Sequence, residues 1–286
     1  MKAASFEYLS TLLKERSGLQ VSQDKQYLLE ARLLPLARQH GIDGLDELVA
    51  AIRSPLSESL IAKIVDAMTT NETSFFRDKV PFEALRTSVL PGLIARRNAR
   101  RALRVWSAAC STGQEPYSLA MMLRDRFPEL KDWRVEIVAT DISPTVLERA
   151  RDGLFSAFEV QRGLPIQLLI KHFEQAGQNW RVKPELCAMI DFRPLNLLAD
   201  IATLGFFDVI LCRNVLIYFD VATKTRVLNR MADMLAPDGA LILGSAETVF
   251  GVCDRLADSA GLRGVYTPLQ DLAAGKKFQS TQRVAH

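Results

Sequence analysis

The chain is poor in the residues that build cross-links and metal sites. Its four cysteines, Cys110, Cys187, Cys212 and Cys253, form no CxxC pair, and none of the three histidines, His40, His172 and His286, lies close in sequence to any of them. That argues against a disulfide framework or a zinc module and suits a reducing compartment, so no metal is expected. Long apolar runs are missing too. Nothing approaches the roughly 18 unbroken apolar residues of a membrane span, and the opening MKAASFEYLSTLLKE reads as an amphipathic helix rather than a signal peptide. A cytoplasmic protein without membrane insertion is the expectation. Charge of one sign is scarce as well: a net +3 is too small to announce a nucleic-acid partner. The one local concentration, Arg96, Arg97, Arg100, Arg101 and Arg104, reads as a solvated linker face.

What is present is an ordinary globular composition, 286 residues with 48% hydrophobic and 24% charged, enough for one large core and a small second one. Residues 1–70 carry helical periodicity alone. Phe6, Leu9, Leu12 and Leu13 share one face before Gly18, a second helix runs from about Asp24 to Gly41, and two more are marked by Leu45–Ile52 and Leu60–Met68. A connector follows over 71–102, with TTNETSFFRDK and an amphipathic helix through Phe82, Leu85 and Val89. From 103 to 268 the pattern changes to short apolar runs, LRVWSAA, VEIVATD, IDFRPL, FDVILCRN and GALILGS, with helical stretches between most of them. This is the signature of an α/β fold with a parallel sheet covered on both faces. The alternation breaks over about 154–189, where a small β insertion is expected, and 269–286 reads as a frayed tail.

The turn after the first strand, CSTGQEPYS, carries the first chemical clue. In an open α/β sheet the ligand sits beyond the carboxyl ends of the strands. Here Gly113 permits close approach of backbone to ligand, and Pro116 fits the first helical position. Neither G-x-G-x-x-G nor G-x-x-x-x-G-K-[ST] can be drawn in this turn; a carboxylate, Glu115, stands there instead. It would repel a pyrophosphate and attract an ammonium, which points from a dinucleotide towards S-adenosylmethionine. Asp141, at the end of the second strand, has the spacing of a ribose-binding acid, and Asn196 after the third could meet an adenine edge. Each has a plain alternative, a helix N-cap for Asp141 and a turn residue for Asn196.

Four stretches in order, TTNETSFFR, CSTGQEPYS, ATDIS and CRNVLIYF, behind a small helical domain, resemble the CheR-type chemotaxis receptor methyltransferases from about Ser5 to Pro268. The resemblance implies a Rossmann-like S-adenosylmethionine-dependent methyltransferase sheet with a small β insertion, preceded by a small all-α receptor-recognition domain. It further implies esterification of glutamate side chains on the cytoplasmic helical domain of methyl-accepting chemotaxis proteins, with S-adenosylhomocysteine as product. Carried over residue by residue, it assigns Asn71, Thr73 and Arg77 to closure over the cofactor, Glu115 and Asp141 to its ammonium and ribose, and further contacts to Asn196, Leu197, Arg213 and Asn214. Arg77 and Tyr218 take the catalytic places, with Tyr218 beside the transferred methyl. Gln114 stands where the family often has a second glutamate, so the carboxylate role rests on Glu115. The second helix is less basic than in better-known members, retaining mainly Lys25, Arg32 and Arg38. Some members clasp the receptor's C-terminal pentapeptide with a glycine-rich loop in the insertion. The segment FEQAGQNWRVKPEL has one glycine, Gly177, so no pentapeptide binding is expected.

The chemistry suits these residue types. A glutamate is ionised near neutral pH, so methyl transfer to it needs alignment rather than a general base. Arg77 and Tyr218 also have plain alternatives, a surface ion pair with Asp78 or Glu72 and an aromatic packed at the sheet end. Phe75 and Phe76 read as packing, and Cys110 and Cys212 as small buried residues rather than nucleophiles. Methylation of another protein or of nucleic acid, a cofactor-binding scaffold without catalysis, and a nicotinamide oxidoreductase remain open alternatives. The last lacks the expected glycine-rich turn.

Overall fold

The computed structural model describes residues 1–54, 57–259 and 261–269. Four helices come first: α1 (Ala3–Ser17), α2 (Gln26–Gln39), α3 (Leu45–Ile52) and α4 (Glu58–Met68). Their apolar stripes meet in a core of their own built on Leu9, Leu13, Leu29, Leu33, Leu48 and Ile64. Burying each such side chain contributes about 1.5–3 kcal/mol, which outweighs the weak propensity of short helices. Gly18 ends α1 in the left-handed region at φ 78°, as its place after the last apolar residue predicts. The connector then runs into α5 (Lys79–Ala84) and α6 (Leu90–Arg97), joined by a π-helical stretch, Leu85–Val89.

The larger unit alternates strand and helix: β1 (Ala102–Ala108), α7 (Gln114–Arg126), β2 (Arg134–Asp141) and α8 (Pro144–Asp152). The expected insertion follows as β3 (Leu154–Ser156), α9 (Ala157–Gln161), α10 (Ile166–His172), β4 (Phe173–Ala176), β5 (Asn179–Val182) and α11 (Pro184–Cys187). The main sheet resumes with β6 (Ile190–Pro194), β7 (Phe207–Cys212), α12 (Val221–Met234), β8 (Leu235–Leu243), β9 (Leu256–Asp258) and β10 (Val265–Pro268). Strand order is β6-β2-β1-β7-β8-β10-β9, and β3-β5-β4 form a separate small sheet. Every residue of β7 is buried, as a central strand covered on both faces requires. One face packs under α7 and the other under α12, where Trp106 stacks on Phe207 with ring centroids 5.6 Å apart.

The structure corrects three expectations. The sheet is mixed rather than parallel throughout, because β10 pairs antiparallel with both β8 and β9. Helix α7 starts at Gln114, so Pro116 is its third residue, not its first. The arginine cluster is more than a solvated face: Arg96, Arg100 and Arg101 stay exposed, yet most of the cluster is paired. Arg97 Nε and Arg100 donate to Asp208 at 2.9 Å, Arg96 and Arg97 both reach Asp238, and Arg104 pairs with Glu136 at 2.9 Å. Asp208 is buried at the start of β7, so this network fastens α6 beneath the amino-terminal edge of the sheet. Residues 270–286 of the expected tail lie outside the described residues. No described helix is long and apolar enough to cross a membrane.

Candidate active site

At the carboxyl ends of β2, β1 and β7 a cleft, partly open to solvent, lies between the sheet and the helical unit. All ten of the candidates, Asn71, Thr73, Arg77, Glu115, Asp141, Asn196, Leu197, Arg213, Asn214 and Tyr218, line it.

The turn after β1 shapes the floor. Ala109 and Ser111 adopt left-handed backbone at φ 55° and 52°, and Gly113 follows at φ 95°. A Cβ at Gly113 would press on Ala150 and Tyr117 at 3.1 Å, so glycine is required both for the conformation and for the room. This turn sends the Ser111 amide to Asp141 Oδ2 at 2.8 Å, while the Ser143 amide donates to Oδ1 at 3.0 Å. Asp141 is therefore not the N-cap of α8; Ser143 is, accepting from the Val146 amide. Burial raises the Asp141 carboxyl above its ordinary value, the two amides pull it back, and the Asp66 charge adds to the rise. Glu115 at the start of α7 accepts from the Ser107 hydroxyl at 2.7 Å and from Arg213 at 2.8 Å.

Arg213 is the hub of the cleft. Its side chain is nearly enclosed, with one terminal nitrogen on Glu115 and the other donating to the Arg77 carbonyl at 2.6 Å and to Asp78 at 3.0 Å. Asp78 thus pairs with Arg213, not with Arg77. The Arg77 guanidinium instead donates to the Glu72 carbonyl at 2.5 Å. Phe76 and Asp78 both have positive φ, 49° and 54°, so the connector kinks on either side of Arg77 and points its side chain into the cleft. The kink is held by the Phe76 amide donating to Ser118, and by Phe75, fully buried with its ring 5.0 Å from Phe155 and 5.7 Å from Phe173 of the insertion.

The roof comes from the helical unit. Ser17 and Leu19, at the end of α1, line the cleft, and sequence reasoning missed both. The Asn196 amide donates to the Arg16 carbonyl at 2.6 Å, and the Gln20 amide donates to the Tyr218 carbonyl at 2.9 Å. Lys14 pairs with Asp220 at 2.7 Å. Asn71 is equally occupied: its side chain donates to Thr69 and its carbonyl accepts from the Ser111 hydroxyl. Also missed was Glu247, a buried carboxylate behind the cleft wall. Its only cue in the sequence is its place three residues after Gly244, which says nothing of the partners it meets.

These residues suit S-adenosylmethionine. A desolvated carboxylate on β2 calls for hydroxyl donors such as those of a ribose, and Glu115 offers negative charge where an ammonium would lie. Arg213 Nε is buried without a protein partner and can donate to a carboxylate. Cys110 and Cys212 are buried, with thiols raised well above their usual range chiefly by desolvation, which makes both poor nucleophiles.

Comparison with known proteins agrees with this architecture. Residues 4–69 match the family model described as CheR methyltransferase, all-alpha domain, and residues 71–263 match CheR methyltransferase, SAM binding domain. Among curated proteins, the chain is 42% identical to Chemotaxis protein methyltransferase Cher2 of Pseudomonas putida, over 87% of this chain and 92% of the relative. It is 43% identical to Chemotaxis protein methyltransferase 1 of Pseudomonas aeruginosa, over 88% and 93%. Against Chemotaxis protein methyltransferase of Vibrio parahaemolyticus identity is 41%, over 86% and 90%.

Proposed function

The chain belongs to the CheR methyltransferase family and is an S-adenosylmethionine-dependent methyltransferase of chemotaxis, and from this premise we propose that it esterifies glutamate side chains on the cytoplasmic helices of chemoreceptors. The observation that carries the reading is the convergence of Arg77 and Tyr218 with Glu115 and Asp141 on one cleft. Asp141 holds the ribose, Glu115 the ammonium, and Asn196 and Leu197 flank the base; Asn71, Thr73, Arg213 and Asn214 complete the wall. The cofactor supplies an electrophilic methyl on a sulfonium.

The protein's part is alignment. Arg77 orients the incoming carboxylate, and the Tyr218 hydroxyl holds the same group in line with the methyl. No described residue lining the cleft is a histidine or a lysine, which suits an acceptor already ionised at neutral pH. The roof contributed by α1 and the connector covers part of the cleft, and the less water is left around the reacting groups, the more the cancellation of their opposite charges during transfer is favoured.

Recognition of the receptor rests on the helical unit and works without a C-terminal tether. Supporting this, β4 and β5 are joined by only Gly177 and Gln178, with Ala176 paired to Asn179, which leaves no extended loop to add a peptide strand. Of the basic residues on the second helix, Arg32 is already committed. It donates to the Met68 and Thr69 carbonyls at 2.7 and 3.0 Å, capping α4, so Arg38, with Lys25 in the turn just before α2, remains for an acidic receptor face.

The test is incubation of a purified receptor cytoplasmic fragment with methyl-labelled S-adenosylmethionine. Label released as methanol by mild base is expected, because esters hydrolyse there and N-methyl groups do not. Base-stable label would overturn the glutamate assignment. Titration of a C-terminal receptor pentapeptide should show no binding in the low micromolar range; saturable binding there would overturn tether independence.

A further inference from the structure

We infer that Glu247 is a positioning residue for methyl transfer, whose carboxylate holds the turn after β7 in the one shape that lets Arg213 join the connector to the cleft. The inference rests on the cleft being the cofactor site.

Glu247 does not line the cleft. It is buried behind it, and its carboxylate accepts four backbone N–H groups. The Asn214 and Gly244 amides donate to Oε2 at 2.8 Å each, and the Val215 and Leu216 amides donate to Oε1 at 3.0 and 2.8 Å. Only Gly244 belongs to its own turn. The other three are consecutive amides of the chain leaving β7, where Asn214 sits in the left-handed region at φ 60°. Such a run of convergent amides forms an anion-binding hollow, and this protein fills it with its own carboxylate. Gly244 makes the room: a Cβ there would lie 2.7 Å from Glu247 Oε2 and 3.0 Å from the Asn214 nitrogen.

The turn so fixed carries Arg213, Asn214 and Tyr218 into the cleft. Arg213 in turn grips Glu115 from the floor and the Arg77 carbonyl and Asp78 from the connector. One buried carboxylate therefore sets the geometry between the cofactor floor and the segment that bears Arg77. Charge-assisted bonds to amides are strong, and an amide side chain in its place would turn an NH2 against two of the four donors.

The experiment compares Glu247→Gln, Glu247→Asp and a control, Val227→Ala. Val227 is buried on the sheet-facing side of α12 and has no part in the cleft. For each, melting temperature, S-adenosylhomocysteine affinity by calorimetry, and kcat and KM for a receptor fragment are measured. The expectation for Glu247→Gln is affinity and kcat each down by about tenfold or more, with acceptor KM within about threefold. Glu247→Asp keeps the charge without the reach and should resemble it. Val227→Ala should melt lower yet bind within about twofold of the parent. Parent-like binding and turnover in Glu247→Gln, full activity in Glu247→Asp, or an equal loss of affinity in Val227→Ala would each overturn the positioning role. A parent protein that binds no S-adenosylhomocysteine would instead overturn the cofactor cleft itself.

Discussion

At Asp141 burial and hydrogen bonding pull in opposite directions, and burial wins. The carboxyl is raised above its ordinary value, so folding favours its protonated form. This group contributes stability that is full below its unfolded pKa and lost as pH rises through the raised folded value. Hydroxyl donors from a ribose favour the charged form, so binding should lower that value again. The affinity for S-adenosylhomocysteine should therefore strengthen with pH through the interval just above the usual carboxylate range. Calorimetry across the mildly acidic range reads this directly; the slope should flatten in Asp141→Asn, and an unchanged slope there would assign it to another group. Arg77 and Tyr218 call for a different signature. Arg77→Ala should lower kcat by about 100-fold while S-adenosylhomocysteine affinity falls much less, with Tyr218→Phe showing the same split more weakly. Equal losses in kcat and affinity would make them cofactor ligands rather than aligners of the acceptor.

Among the elements, α6 and the start of β7 make a second polar centre at the opposite edge of the sheet from the cleft. Asp208 accepts from Arg97, Arg100 and the Arg104 amide. Asp208→Ala would leave the Arg104 amide without its acceptor while Arg97 keeps Asp238 and the half-exposed Arg100 turns to water, and it should destabilise by about 1–3 kcal/mol, read by chemical denaturation. Because the cleft is remote, S-adenosylhomocysteine affinity in the folded fraction should not change; a parallel loss would show the two edges coupled. Another sensitive joint is Gly163, at φ 89°, where a Cβ would collide with the Phe75 carbonyl. Gly163→Ala should loosen the packing of the connector on the insertion and lower both the melting temperature and kcat, the latter through Arg77 two residues on. A parent-like kcat at the lowered melting temperature would show that this joint does not reach Arg77.

These same elements explain what could be read before the structure. β7 was legible because both of its faces are covered, so its apolar run is unbroken. β9 and β10 were not. They are short edge pieces, Leu256–Asp258 and Val265–Pro268, with too few residues to display a period. The arginine cluster looked solvated because its acidic partners Asp208 and Asp238 lie more than 100 residues away along the chain. Candidates at strand ends, Glu115, Asp141 and Asn196, could be found because strand ends follow from pattern alone, whereas Arg213 was reached only through the family resemblance. Ser17, Leu19 and Glu247 reach the site only through long-range packing, which no local pattern encodes.

Across the whole molecule, the cleft is an assembly of two units. The helical unit is held over it by Asn196 to Arg16, Gln20 to Tyr218, Thr145 to Asp66 and the exposed Lys14–Asp220 pair. The Lys14–Asp220 pair is exposed and contributes little, and the other three are single hydrogen bonds, so the roof is expected to lift at modest cost to admit and release ligand. Hydrogen exchange at amides of 16–20 and 69–78 should slow when S-adenosylhomocysteine is present, while the core of β7 stays unchanged. Equal protection with and without ligand would argue that the roof does not move.

Cys110 turns that movement into a clock. Its thiol lies at the floor of the cleft, almost fully covered and hard to ionise. An alkylating reagent in solution can reach it only during an opening, and because the thiol ionises poorly, reclosing outpaces capture and the rate follows the open fraction multiplied by the thiol's own reactivity. Cys187, the one partly exposed cysteine, gives an internal standard on the same chain. The ratio of the two modification rates, resolved by peptide mass, would track the fraction of time the cleft stands open, with no receptor present.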